Sequence, residues 1–452
     1  MNNSILTEEE LAFGRKCLAA ALAKGVAKAR VTLSKTEMDL IGILNSEVDK
    51  VTHCLDRSVT VCIFIGGRYG SYSTNRLEES ELDAFLDKAI ATTLMLEKDP
   101  CRDLPSPERT EKEAVSGFEL DLYDSTYETL SAEKKREIAL GAAIFEKTRE
   151  AGESGWEIVS EEGEYSDSVY DTYIIDSQGT ECRQTETAFE FGVETTVRDS
   201  RGDKYSGYWW DASTRLEDLK IGECCPKALQ KAVEQIGAKR HRSGKFTMVV
   251  SADAASRVVS PILNALNAYS IQQHNSFLEG SLGEKKFPEG LTVIERSRAK
   301  GESGARMFDS EGVATIEGPV IEKGVVKSYF VNTYMAAKTG LEPTVEEPIR
   351  PKVLPYPREG LTRDDILRLC GEGILVTDFN GGNSNSATGD FSYGIEGFAF
   401  KHGRITHPVR EMLVTGNFLT LWQGLIAAGD DSRVCMSKQI PTLAFSNVDF
   451  SA

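Results

Sequence analysis

The sequence predicts an α+β fold: an N-terminal α+β region with an antiparallel sheet, then a C-terminal strand-rich antiparallel β domain with few helices. Three observations predict it. The chain opens in the order helix, strands, helix. Residues 170–210 then read as one antiparallel meander, with alternating apolar positions separated by turn signals. From Leu291 to the C-terminus, short strands and Gly-rich turns dominate.

The elements follow in order. Thr7 and Glu10 form a capping box before Leu11, Leu18, Ala21 and Leu22, and Gly25 can stop that helix. Val31 to Leu44 alternates loosely, whereas Val59 to Ile65 is apolar and β-branched. Gly66-Gly67-Arg68-Tyr69-Gly70 reads as a turn. A second helix carries Leu82, Phe85, Leu86, Ala89, Ile90 and Leu94 at helical spacing. Asp99 to Val115, rich in Pro and charge, is a connector. A third helix is expected from about Ala132 to Glu150, with Ser131 as N-cap and Gly152 as stop.

Tyr170–Ile175 and Glu181–Thr185 flank the hairpin signal Asp176-Ser177-Gln178-Gly179. Phe189, Phe191, Val193, Thr195 and Val197 alternate, so one face of that strand is buried. Asp199 to Asp203 turns the chain into a strand over Tyr205–Trp210. Pro226 is read as opening a short helix to about Ile236. Lys245–Val250 is a strand. Ala252 to Gln273 is one helix, with Val258, Val259, Ile262, Leu263 and Leu266 inward. The expected domains are 1–98 (α+β), 99–115 (connector), 116–229 (central helix plus β-meander) and 230–452 (β-rich).

Composition narrows the function classes. A chain of 452 residues supports about two or three domains. Its formal charge is −18, and its densest basic stretch is Lys239-Arg240-His241-Arg242. Duplex DNA is held by clustered Lys and Arg, so direct nucleic-acid binding is not expected. The uncharged run from Met412 to Gly429 contains Gly416, Asn417, Gln423 and Gly424, which fits a buried core segment and not a membrane span. The opening residues, with Glu8, Glu9 and Glu10, do not resemble a secretory signal. Nine scattered Cys without a CxxC then read as free thiols in a reducing compartment.

Few residues are spaced for chemistry. None of the five His has a second His at helical ligand spacing. His402 and His407 flank Gly403 and precede Pro408, which indicates a hairpin with the two rings on opposite faces. Cys54 next to His53 is not a nucleophile–base pair by adjacency, and Cys224-Cys225 reads as packing. Neither GxSxG nor GxxxxGK[ST] occurs. The most organised stretch runs from Asn383 to Phe398. Gly394 and Gly397 permit close backbone approach, and Asp390 and Ser392 can bond local N–H groups. Asp390, Phe391, Ser392, Gly394 and Gly397 then form either a structural corner between strands or one wall of a peptide groove.

At this stretch the sequence resembles a known family. Thr388-Gly389-Asp390-Phe391-Ser392, Gly394, Gly397-Phe398, Gly403-Arg404-Ile405, Pro408-Val409, Glu411-Met412 and Gly416-Asn417 resemble the C-terminal signature of the TldD/PmbA family. Phe308-Asp309-Ser310-Glu311-Gly312-Val313 with Ile321-Glu322-Lys323-Gly324-Val325, and Ser276-Phe277-Leu278 with Gly283-Glu284-Lys285, match further segments in the family's order. Gly70 and Ser73-Thr74 before an amphipathic helix fit its first domain.

The resemblance implies the following. TldD-like chains carry HExxxH on the helix after the strand that matches Phe246–Val250, and a C-terminal Cys joins the metal site. Here those positions fall on Ser260-Pro261-Ile262-Leu263-Asn264-Ala265, with Ser260, Pro261 and Ala265 where ligands and base would stand. Water activation needs a Lewis acid and a base. Cys435, in Arg433-Val434-Cys435-Met436, does not resemble the TldD ligand setting. The chain therefore resembles the PmbA (TldE) branch, whose older label is modulator of DNA gyrase. The branch implies a cytoplasmic subunit with no cofactor of its own. Zinc is expected on a TldD-like partner, and the substrates are unfolded or extended peptides, including peptide-antibiotic precursors and an antitoxin. An independent hydrolase, perhaps using a Cys, and a peptide-binding homodimer remain open alternatives.

Overall fold

A computed structural model describes residues 4–151 and 155–452. Gly152, the expected stop of the third helix, lies outside them. Strand outweighs helix, 40% to 25%, and the strand pairs are mostly antiparallel, which makes the class α+β. Two compact units are present. One holds the residues up to Ala232 with Arg298–Thr315 and Asn332–Leu341, and the other holds Val233–Ser297, Ile316–Val331 and Glu342–Ala452.

The first unit is built on a six-stranded antiparallel sheet in the order β3-β2-β1-β4-β5-β6. Its elements are α1 (Glu8–Ala23), β1 (Lys28–Leu44), β2 (Glu47–Ile65), β3 (Arg68–Thr74), α2 (Glu79–Met95), α3 (Ala132–Ala142), α4 (Phe145–Ala151), β4 (Trp156–Asp176), β5 (Glu181–Asp199), β6 (Lys204–Ser213) and α5 (Ile221–Glu234). The capping box at Thr7 and Glu10 is present, with Lys24 as C-cap and Gly25 just beyond it. Val31, Leu33, Val59, Val61 and Ile63 pack beneath α1 and α2. Phe189, Phe191 and Val193 pack beneath α3 and α5, where Cys224 and Cys225 are both buried.

Four details of this unit differ from expectation. β2 begins at Glu47, because its polar first half is held by pairing along β1 and not by burial. The turn after β2 is only Gly66-Gly67; both have positive φ, 59° and 73°, as a two-residue hairpin turn requires, and β3 already starts at Arg68. The third helix breaks in two at Ala143, where the buried Glu161 carboxylate accepts from Ile144 N at 2.9 Å and Phe145 N at 3.2 Å. The helix around Pro226 starts at Ile221, so Pro226 lies inside it. Burial of Cys224, Cys225, Ala228 and Ala232 outweighs the one backbone bond that Pro removes.

The second unit contains β7 (Gly244–Val250), α6 (Ala252–Ala265), α7 (Ala268–Gln272), β8 (Val293–Arg296), β9 (Glu317–Glu322) and β10 (Val325–Val326). α8 (Thr333–Thr339) belongs to the first unit. Then come β11 (Pro351–Val353), α9 (Arg363–Cys370), β12 (Glu372–Ser384), β13 (Asp390–Lys401), β14 (Arg404–Asn417), α10 (Phe418–Gln423), β15 (Leu425–Ala428) and β16 (Leu443–Ser451). The main sheet runs β14-β13-β12-β7-β16-β15, and β14 also pairs with β16, so the sheet closes on itself. β7 and β12 are parallel. A smaller sheet has the order β10-β9-β8-β11.

The strands β12, β13 and β14 are 13, 12 and 14 residues long, not short as expected. The expected single helix from Ala252 is interrupted at Leu266, because Asn267 caps α7 and the Ala268 N–H is taken by Phe330 O at 2.8 Å. Val258, Val259, Ile262, Leu263 and Leu266 are all buried, as the spacing predicts. His402 and Gly403 form the turn between β13 and β14. Within the Met412–Gly429 run, Phe418, Leu421, Trp422, Ala427 and Ala428 are buried, and no described helix is long and apolar enough to cross a membrane.

Candidate functional site

The sequence points to α6, and the structure places a cleft beside it. Ser256, Arg257, Ser260, Pro261 and Asn264 recur at helical spacing and form the polar stripe of α6. The opposite stripe is apolar and buried. Across the cleft stand Asn383 and Ser384 at the end of β12 and Tyr393 on β13. The cleft is open to solvent and has a volume of about 440 Å³.

Both walls are fixed by packing. Trp422 of α10 is fully buried, and its Nε1–H donates to Val258 O of α6 at 3.3 Å. Its ring meets Phe445 edge-on at 5.0 Å. Tyr393 stacks on Phe391 at 5.4 Å, and Phe391 stacks on Phe418 at 4.8 Å. Arg257 spans the opening: its guanidinium lies 4.5 Å from the Tyr393 ring centre and donates to Gly382 O at 3.2 Å. Lys438 Nζ donates to Ser260 Oγ at 3.0 Å.

The α6 residues that the resemblance aligns with TldD-type ligands do not suit a zinc ion. Zinc takes thiolate, imidazole or carboxylate donors. Pro261 and Ala265 offer no side-chain donor atom, and Ser260 already faces an ammonium, which repels a cation. Cys435 is buried. Among the described residues, no group of three or more His, Cys, Asp or Glu is placed to hold a metal ion.

The five groove candidates lie elsewhere on β13. Asp390 accepts from Thr388 Oγ1 at 2.7 Å and Asn417 Nδ2 at 2.9 Å, and these bonds hold its carboxyl below the ordinary value. Phe391 is buried in the aromatic stack, and Ser392 is exposed. Gly394 and Gly397 lie against β12: an added Cβ would sit 2.3 Å from Asn380 O and 1.9 Å from Leu375 O, respectively. Ser260 and Pro261 are therefore brought into the cleft, whereas Ala265 is buried and none of the five is among the cleft's wall residues. Sequence reading missed Arg257, Asn264, Asn383 and Lys438. The polar stripe of α6 was readable from spacing; Asn383 opens the organised stretch read from the sequence but was not singled out in it, and Lys438 carries no local signal and reaches α6 only through the fold.

Residues 243–452 match the PmbA/TldA metallopeptidase C-terminal domain, and residues 125–237 match the PmbA/TldA metallopeptidase central domain. A metalloprotease PmbA homolog of Haemophilus influenzae is 26% identical, with 90% of this chain and 88% of that protein covered. A solved structure from Bacteroides thetaiotaomicron, labelled a modulator of DNA gyrase, is 36% identical with a TM-score of 0.92, covering 99% of each chain. TldE from Thermococcus kodakarensis shares the fold, with a TM-score of 0.80 at 17% identity over 98% of this chain and 99% of that one. The chain belongs to the PmbA/TldD metallopeptidase family and is PmbA/TldE-like within it.

Proposed function

We propose that the chain is the non-catalytic, PmbA/TldE-like subunit of a cytoplasmic metallopeptidase complex. A TldD-like partner would carry the zinc, and the pair would act on unfolded or extended peptides, such as peptide-antibiotic precursors or an antitoxin. One observation supports this reading: on α6, the helix that the resemblance aligns with the family's metal helix, Ser260, Pro261 and Ala265 bring neither a zinc ligand nor a base, and Lys438 bonds to the first of them. A zinc-bound water needs a metal and a base to attack an amide, and this helix supplies neither. Its contribution would be to hold substrate, and strand-rich domains commonly grip extended peptides through main-chain bonds. The acidic charge favours an indirect link to gyrase over DNA binding.

The test is zinc content and chelator-sensitive cleavage of an unfolded peptide, measured for the chain alone and after co-expression with a TldD-like chain. Stoichiometric zinc and cleavage are expected only in the co-purified complex. Zinc-dependent cleavage by the chain alone would sink the reading. Loss of activity on thiol alkylation would instead favour an independent Cys hydrolase.

A further inference from the structure

We infer that the α6 cleft binds the C-terminal carboxylate of an extended peptide. This deepens the proposed function and rests on that reading, because it names which end of the peptide this subunit holds.

The chain carries 70 acidic and 52 basic residues, yet no wall residue of the cleft is acidic. Arg257 lines it and Lys438 bonds to its wall residue Ser260, and among the described residues neither cation pairs with a carboxylate. Lys438 spends one N–H on Ser260, and an ammonium has three. Arg257 is solvent-exposed, but its guanidinium rests on the Tyr393 ring and donates to Gly382 O, so part of its side-chain freedom is already lost before binding. An anion is the ligand that such a site lacks.

The neutral groups narrow the class of anion. Asn264 and Asn383 each offer both a donor and an acceptor, which suits the amide next to a terminal carboxylate. Phosphate sites more often rely on backbone N–H groups at a loop or helix start, whereas the donors here are side chains along a helix flank. With no acid, His or Cys in the wall, a metal ion is not the fitting ligand. The volume of about 440 Å³ accommodates a terminal residue and its neighbour.

The full-length chain would be titrated by calorimetry with an acetylated Ala/Gly pentapeptide as its free acid and as its C-terminal amide. The free acid is expected to bind tighter by about tenfold or more, as a charge-assisted contact implies. Arg257→Gln and Lys438→Met should each erase that preference, and Ser256→Asp, which adds a carboxylate to the wall, should abolish free-acid binding. Arg363→Gln, on α9, should leave binding unchanged. Equal binding of acid and amide would overturn the inference, as would no binding of either or a preference that survives in Arg257→Gln. Stronger binding of inorganic phosphate than of the free-acid peptide would also overturn it. The same variants would be co-expressed with the TldD-like chain. Normal complex formation and zinc loading beside failed carboxylate binding would refute this inference alone and leave the subunit role intact.

Discussion

Replacing Trp422 by Ala tests whether packing behind α6 sets the cleft. Trp422 is fully buried, donates to Val258 O at 3.3 Å and meets Phe445 edge-on at 5.0 Å. A buried Trp-sized side chain removes roughly 150–250 Å² from water. At about 25 cal/mol per Å² that is roughly 4–6 kcal/mol as an upper figure. Truncation data for buried Phe or Trp give about 3–5 kcal/mol, so that range is the expectation. The assay is hydrogen exchange of the α6 amides, residues 252–265, because exchange reads the opening free energy of one element. A loss of 3–5 kcal/mol corresponds to acceleration by about two to three and a half orders of magnitude. Trp422→Phe keeps an aromatic contact with Phe445 but loses the bond to Val258 O, and should cost about 1–2 kcal/mol. Acceleration below about fivefold in Trp422→Ala would refute the claim that this contact anchors the helix.

Three further outcomes are expected. Gly397→Ala puts a Cβ 1.9 Å from Leu375 O, a backbone atom that cannot step aside, so β12 and β13 should lose register and the variant should lose at least about 3 kcal/mol in a urea titration. Glu161→Ala frees the Ile144 and Phe145 N–H groups at the break between α3 and α4, at a cost of about 1–3 kcal/mol, read by thermal melting. Burial alone would raise the Glu10 carboxyl, but the Thr7 N–H and the Lys35 ammonium hold it below its ordinary value of 4.5. Its contribution is therefore present above pH 4.5 and lost as pH falls through the lower folded value, so Glu10→Gln should flatten the acid limb of a stability-versus-pH curve.

Much of the fold was legible because local rules decided it. The capping box at Thr7, the Asp176–Gly179 hairpin and the alternation from Phe189 to Val197 all appear as read. The helix breaks were not legible. Glu161 splits α3 from α4, and Phe330 O ends α6 against α7, through partners 16 and 62 residues away. The polar half of β2 was also hidden, since pairing with β1 leaves no hydrophobic period.

The candidate site divides in the same way. The PmbA-like resemblance was legible in the sequence by itself, because a motif is a one-dimensional pattern. The cleft was not. Lys438 lies 178 residues from Ser260 and meets it because β16, which follows Lys438, begins opposite Val250 at the end of β7, just before α6. Arg257 is an exposed helix residue in the structure too, and only the fold places Tyr393 and Gly382 beside it. Spacing along a chain determines which side of a helix is polar; only the tertiary structure decides what that side faces, because the strands that form the other wall are brought there by long-range pairing.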